Sequence, residues 1–206
     1  MTSETATSDT LTAVTSNVVD FQTAVRRRQL SATTAEVFES IPTVLRSGST
    51  SSTAVPQLGI AAAERQLLEA ERELHRMVNL AGDEVFEDGV ENQVSRTVPS
   101  LVARFGSAAV DATARLYLDG LLPTDITCEV LRWLGRVDHD ASQETRFWFL
   151  IYCLRDGDPH VRSASALGLA SLEDGRAVKY LRRQRLAEPV GLLRSRLENV
   201  ANELEG

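Results

Sequence analysis

The stretch LRDGDPHVRSASALGLASLEDGRAVKYL, from Leu154 to Leu181, constrains the fold of this chain more than any other. Asp158 suits a helix N-cap, because its carboxylate can accept an N–H that the helix leaves unpaired. Pro159 suits the first helical position, where a missing N–H costs nothing. Ala164, Ala166, Gly168 and Ala170 then predict a helix that approaches a neighbour closely, with Leu167, Leu169 and Leu172 filling the space between layers. The pattern recurs. Set against ITCEVLRWLGRV, an offset of 35 brings Ile126, Leu134 and Val137 onto Val161, Leu169 and Leu172. Set against LRSRLENVANEL, an offset of 32 brings Val161, Arg162 and Leu172 onto Leu193, Arg194 and Leu204. Each of these helices follows another amphipathic one. A two-helix unit repeating with this period predicts a solenoid, since one pair cannot bury its apolar face alone.

The rest of the chain from Ile60 onward also reads as helix. Ala63, Leu67, Ala70, Leu74, Met77 and Ala81 alternate in steps of four and three, a seam that predicts packing against the following helices. Helical segments of about three turns follow over Ser95–Arg104, Ala108–Leu118, Thr124–Arg136, Ser142–Leu154, Pro159–Leu172, Arg176–Leu186 and Pro189–Leu204. Asp140, three residues before Gln143, reads as a capping box. No stretch alternates as a strand would, so the expected class is all-α.

These repeats resemble the HEAT-repeat superfamily, and its phycobilisome-lyase-type HEAT-like repeats in particular. The residues that carry the resemblance are Asp156, Asp158, Pro159, Val161, Arg162, Ala164, Ala166, Leu167, Leu172 and Asp174. It implies a short right-handed α-solenoid of HEAT-like helix pairs, preceded by an N-terminal arm that reads as largely disordered from its composition alone. It also implies that an acid and an arginine link adjacent repeats through hydrogen bonds. Those roles would fall on Asp156 and Arg162, and Glu188 and Arg194 keep the same separation of six. Leu121 and Thr127 stand at these places in the earlier repeat, which would then rest on packing alone. The resemblance does not reach the first 58 residues.

Residues 1–58 differ in composition from residues 59–206, the expected helical domain. The start MTSETATSDTLTAVTS is dominated by Thr and Ser, and SGSTSSTAVPQLG, from Ser47 to Gly59, has the composition of a flexible linker. Two weakly amphipathic pieces lie in this region, Leu11–Val25 and Val37–Leu45, and read as a disordered arm or as docking segments. The chain has neither the charged start and apolar core of a signal peptide nor an apolar run that could span a bilayer. A cytoplasmic location is expected, with no membrane partner.

The chain carries a net charge of −7, which argues against coating nucleic acid, because neutralising phosphates requires clustered Lys and Arg. Cys128 and Cys153 sit in apolar helical patterns and read as small buried hydrophobes. No Cys/His cluster predicts a metal, and the acidic stretch GDEVFEDGVEN lacks the oxygen spacing of a calcium loop. His139, between Asp138 and Asp140, reads as part of a turn rather than as a general base, and no nucleophile–base constellation or phosphate loop is present. No catalytic residue, cofactor, metal or small-molecule ligand is expected.

What remains is a set of aromatic and basic residues, which read either as core packing, the usual place of large aromatics, or as a partner-binding hot spot. Arg132, Trp133, Arg146, Trp148, Arg155, Arg182 and Arg183 are the candidate partner-binding residues, since Trp, Tyr and Arg are enriched at interface hot spots. The structural-repeat set is Asp156, Asp158, Pro159, Val161, Arg162, Glu188 and Arg194. The folded part is acidic early and basic late, which favours a charged protein partner or head-to-tail self-contact. The expected function is non-catalytic protein–protein interaction, as adaptor, scaffold or regulator. The resemblance offers one alternative, an enzyme or enzyme subunit. Some phycobilisome-lyase relatives attach a bilin to a cysteine, and some HEAT-like proteins process damaged DNA bases.

Overall fold

Helix punctuation and small-residue spacing decide most of the architecture. The computed structural model describes residues 55–82, 84, 86 and 90–206. Among them are eight α-helices, one 3-10 turn and no strand. The helices are α1 (Val55–Ala81), α2 (Gln93–Phe105), α3 (Ser107–Leu118), α4 (Thr124–Arg136), α5 (Asp140–Cys153), α6 (Pro159–Leu172), α7 (Val178–Ala187) and α8 (Gly191–Glu203). The 3-10 turn, Gly175–Ala177, leads directly into α7. The Ser/Thr-rich arm and its two amphipathic pieces lie outside the described residues. Helix α1 begins at Val55, inside the stretch that reads as a linker, and Pro56 falls in its first turn, where proline is tolerated.

Local chemistry sets the boundaries. Asp158 caps α6 by accepting the His160 N–H at 2.8 Å, with Pro159 first in the helix. Asn92 and Ser95 form a capping box at α2: the Asn92 side chain accepts the Ser95 N–H at 2.7 Å and the Ser95 hydroxyl oxygen accepts the Asn92 N–H at 2.9 Å. Gly106 alone joins α2 to α3, at φ +54°, which a side chain would strain. The expected capping box at Asp140 is not formed. His139 is the N-cap and Asp140 is the first helical residue, where its charge suits the helix dipole.

The even-numbered helices form one continuous layer, with α2 against α4, α4 against α6 and α6 against α8. In α1, Leu67, Ala70, Leu74, Met77 and Ala81 are buried as their spacing predicts, whereas Ala63 is exposed. Each even helix buries a stripe at i, i+4 and i+8: Val94, Val98 and Val102; Ile126, Val130 and Leu134; Val161, Ser165 and Leu169; Leu193, Leu197 and Ala201. The odd helices α3 and α5 pack together, and α5 meets α7 through Phe147, Trp148 and Tyr180. The Ser165 hydroxyl, inside the stripe, donates to the Leu150 carbonyl at 2.5 Å.

Two glycines bring the backbones of α4 and α6 into contact. A Cβ added at Gly135 would lie 2.1 Å from the Gly168 carbonyl oxygen and 2.6 Å from its Cα. One added at Gly168 would lie 2.5 Å from the Leu131 carbonyl oxygen and 2.8 Å from Leu150 Cδ2. The two backbones touch, so neither position admits any side chain.

A second device repeats with the offset of 32. Arg162 Nη1 donates to the carbonyls of Asp156 and Gly157 at 2.8 and 2.9 Å. Arg194 donates to the carbonyls of the equivalent residues, Glu188 (3.1 Å) and Pro189 (3.4 Å). The Asp156 carboxylate accepts the Asp158 N–H at 2.6 Å, and Glu188 accepts the Val190 N–H at 3.1 Å. The carboxylate partner of Arg162 is therefore not Asp156. Arg162 meets Glu188 in a bidentate pair, Nε to Oε2 at 2.8 Å and Nη2 to Oε1 at 2.7 Å, with both side chains buried. Asp156 offers Arg162 only its backbone, because its carboxylate is taken by the Asp158 N–H and the Tyr117 hydroxyl. The earlier turn, with Leu121 and Thr127, does not rest on packing alone. The Thr127 hydroxyl donates to the Leu122 carbonyl at 3.3 Å. Pro123, which has no N–H to offer, removes the need for an acid at position 121.

Gly→Ala inside a helix ordinarily stabilises by about 0.5–1 kcal/mol. Gly135→Ala should instead destabilise by about 1–3 kcal/mol, because the crossing must open. Gly191→Ala, with nothing within 4 Å, should not destabilise. Urea denaturation of the two variants tests this. Arg162→Ala should cost about 3–5 kcal/mol, since it strands a buried carboxylate. The hydrogen bonds from Arg162 hold Glu188 below the ordinary carboxylate value of about 4.5. Its contribution to stability is therefore full above that value and lost as pH falls through the lower folded value. Wild-type denaturation midpoints should drop over that acidic range, and the drop should be smaller in Arg162→Ala.

Candidate functional site

The seven candidate partner-binding residues fall into separate environments. Arg146 is the clearest correction. It is 2% exposed, and its guanidinium donates to the Leu134 carbonyl (2.9 Å), the His139 carbonyl (3.1 Å) and the Ser142 hydroxyl (3.1 Å). These acceptors close the α4–α5 turn. Burial lowers the Arg146 pKa, and the charges of Asp138 and Asp140 oppose that shift. Arg146 is a staple within the fold and presents no surface to a partner. His139 is part of the same turn: Nδ1 lies 3.0 Å from the Ser142 hydroxyl.

Arg132 and Trp133 stand on α4, half-buried, and share one acceptor. Glu129 accepts from the Trp133 indole N–H at 2.8 Å, from Arg132 Nη1 at 3.1 Å and from the Asn92 side-chain amide at 3.2 Å. Arg136 lies over the Trp133 ring, 5.1 Å from its centroid. Glu129 thereby ties α4 to the cap of α2, and Trp133 has its polar edge satisfied from within.

Trp148 is different. It lies on α5 and is 41% exposed, and its indole N–H donates to Glu144 at 2.6 Å. Its ring stands edge-on to Phe147 (5.1 Å) and to Tyr180 of α7 (5.9 Å). Arg176 lies over Phe147 at 4.5 Å and pairs with Glu144 at 2.8 Å and Asp174 at 2.7 Å. Asp174 also caps the 3-10 turn by accepting the Arg176 N–H at 3.0 Å, and these bonds hold its carboxyl below the usual range. The result is a partly exposed patch of two aromatic rings held in place by a network of ion pairs. Arg182 and Arg183 are exposed on the same α7 helix as Tyr180, and Arg182 pairs with Glu205. Arg155 is exposed in the turn after α5.

Tyr180 is the member of this patch that the sequence reading missed. The signal for it was present, since the offset of 32 that pairs Arg162 with Arg194 also places Tyr180 at the position of Trp148. Burial pushes the Cys128 thiol up to about 11 and holds the Cys153 thiol well above its ordinary value, so both are held as thiols. Among the described residues, no group of three His, Cys, Asp or Glu could hold a metal ion, and no helix is long and apolar enough to cross a membrane. The chain matches no protein-family model, no curated protein and no solved structure.

Arg146→Ala should lower stability by about 2–3 kcal/mol, because it leaves two carbonyls and a hydroxyl without their charged donor. Trp148→Ala should cost about 1 kcal/mol, roughly the worth of its ring contacts. Parallel urea titrations give the order; the reverse order would return Arg146 to the surface.

Proposed function

We propose that this chain is a non-catalytic protein–protein interaction protein, an adaptor or regulator built as a short α-solenoid of HEAT-like repeats and acting in the cytoplasm. The repeat reading is supported by the hydrogen bonds that recur with the offset of 32 around Arg162 and Arg194 and by the buried stripe common to the four even helices. The interaction reading rests on one observation above others: Trp148 is 41% exposed yet fixed in orientation by Glu144, Phe147 and Tyr180. A rigid, partly exposed tryptophan beside tyrosine and arginine binds a protein at low entropic cost. The surrounding charge, with Arg176 and the basic α7 helix, favours an acidic partner.

The test compares tagged wild-type chain with Trp148→Ala in quantitative pull-downs from the native host, after circular dichroism establishes that both are folded. A specific protein should be enriched by the wild type. Its affinity should fall at least about 30-fold in the variant, a hot-spot loss of about 2 kcal/mol. Identical recoveries from both proteins would defeat the reading. So would saturable binding of a bilin or of nucleic acid by the purified chain, which would favour the enzyme alternative.

A further inference from the structure

The offset of 32 also exposes a surface. On α5, Phe147, Leu150, Ile151 and Leu154 share one face at i, i+3, i+4 and i+7, and all are buried. Their counterparts on α7 are Lys179, Arg182, Arg183 and Leu186, and all are exposed. The contrast is largest at the ends of the two helices: Leu154 is 1% exposed and Leu186 is 80% exposed. Leu192, at the start of α8, is 79% exposed, so two bare leucines bracket the α7–α8 turn. Arg194 continues the theme. It keeps the backbone bonds that Arg162 makes, but it meets no carboxylate among the described residues, whereas Arg162 has Glu188. Lys179 and Arg183 likewise meet no carboxylate there, while Arg182 has Glu205 and Arg185 has Glu198.

This edge is therefore cationic with two apolar anchors. A face that serves only to stay in water needs the charges but not the leucines. The chain contains a segment of matching chemistry. GDEVFEDGVEN, from Gly82 to Asn92, carries Asp83, Glu84, Glu87, Asp88 and Glu91 around Val85, Phe86 and Val90. Glu84 is occupied with the Gln93 N–H at 2.8 Å, and Val90 and Glu91 are exposed. The segment's other acids are Asp83, Glu87, Asp88 and Glu91.

We propose that the α7–α8 edge takes the acidic Gly82–Asn92 segment of a second copy of this chain. Carboxylates of the segment meet Lys179, Arg183 and Arg194, and its apolar side chains cover Leu186 and Leu192. The contact joins two different surfaces, so each copy keeps one of each available and association extends with concentration unless two copies satisfy each other reciprocally. It rests on opposite charges near the surface and weakens with salt.

Sedimentation velocity of the full chain tests this across a concentration series. At low salt the weight-average sedimentation coefficient should rise with concentration, and 0.5 M salt should return it to the monomer value, since roughly 4–5 Å of screening length remains at that strength. Arg183→Glu combined with Leu186→Glu should abolish association, and so should Glu87→Lys combined with Glu91→Lys. The altered positions that the structure describes are exposed, and thermal melts identify any variant that is misfolded. To test the charge pairing alone, Arg183→Glu and Glu87→Lys/Glu91→Lys are combined in one chain, where both sides of the contact carry reversed charge, and association should return. A wild type that stays monomeric at every concentration would overturn the proposal. Association that survives either set of reversals made alone would overturn it as well. Neither result bears on Trp148, so the proposed function and this inference fail separately.

Discussion

The contact between Gly135 and Gly168 is the constraint from which the rest of this structure follows. Two helices whose backbones touch must cross at that point and nowhere else, because any other register sets a side chain against a carbonyl. The crossing fixes α4 against α6, the most extensive helix contact among the described residues. With that pair fixed, α4 and α6 lie side by side with their stripes, Ile126, Val130 and Leu134 and Val161, Ser165 and Leu169, buried, and α2 and α8 extend the layer on either side. Close approach shortens the distance that side chains must fill, which is why alanine and serine suffice on α6.

Burying arginine is the second decision in this fold. Arg146 and Arg162 are both taken out of water, and each is met by acceptors on several sides. Their partners differ in kind. Arg146 has carbonyls and a hydroxyl, so it closes a turn and carries its charge uncompensated by contact. Arg162 has Glu188, so it joins one helix pair to the next with a bidentate pair whose geometry neither lysine nor a shorter acid could reproduce. Its guanidinium satisfies two own-turn carbonyls and still reaches a carboxylate 26 residues further on, which ties the turn before α6 to the turn before α8.

Much of this was legible from residue order. Asp158–Pro159 gave the start of α6 to the residue, because capping is local chemistry. The buried seam of α1 from Leu67 to Ala81 followed from spacing, because helical periodicity is set by the backbone. Other readings failed where a local pattern competed with a tertiary one. Asp140 resembles a capping residue, but His139 takes the cap while its carbonyl receives Arg146 and Ser142. Arg146 resembles a surface arginine beside Trp148, and nothing in its immediate neighbours reveals that carbonyls of residues 134 and 139 converge on it.

By itself, then, the sequence determined the helical class, the start of α6, the buried seam of α1 and the offset of 32, all properties of short-range geometry along one chain. The tertiary structure alone decided which charges are structural and which are presented. It paired Arg162 with Glu188 in place of Asp156, buried Arg146, brought Tyr180 beside Trp148 and left Leu186 bare where Leu154 is covered. Such choices depend on what lies across the gap between helices, and spacing within a helix carries no record of the residue on the other side.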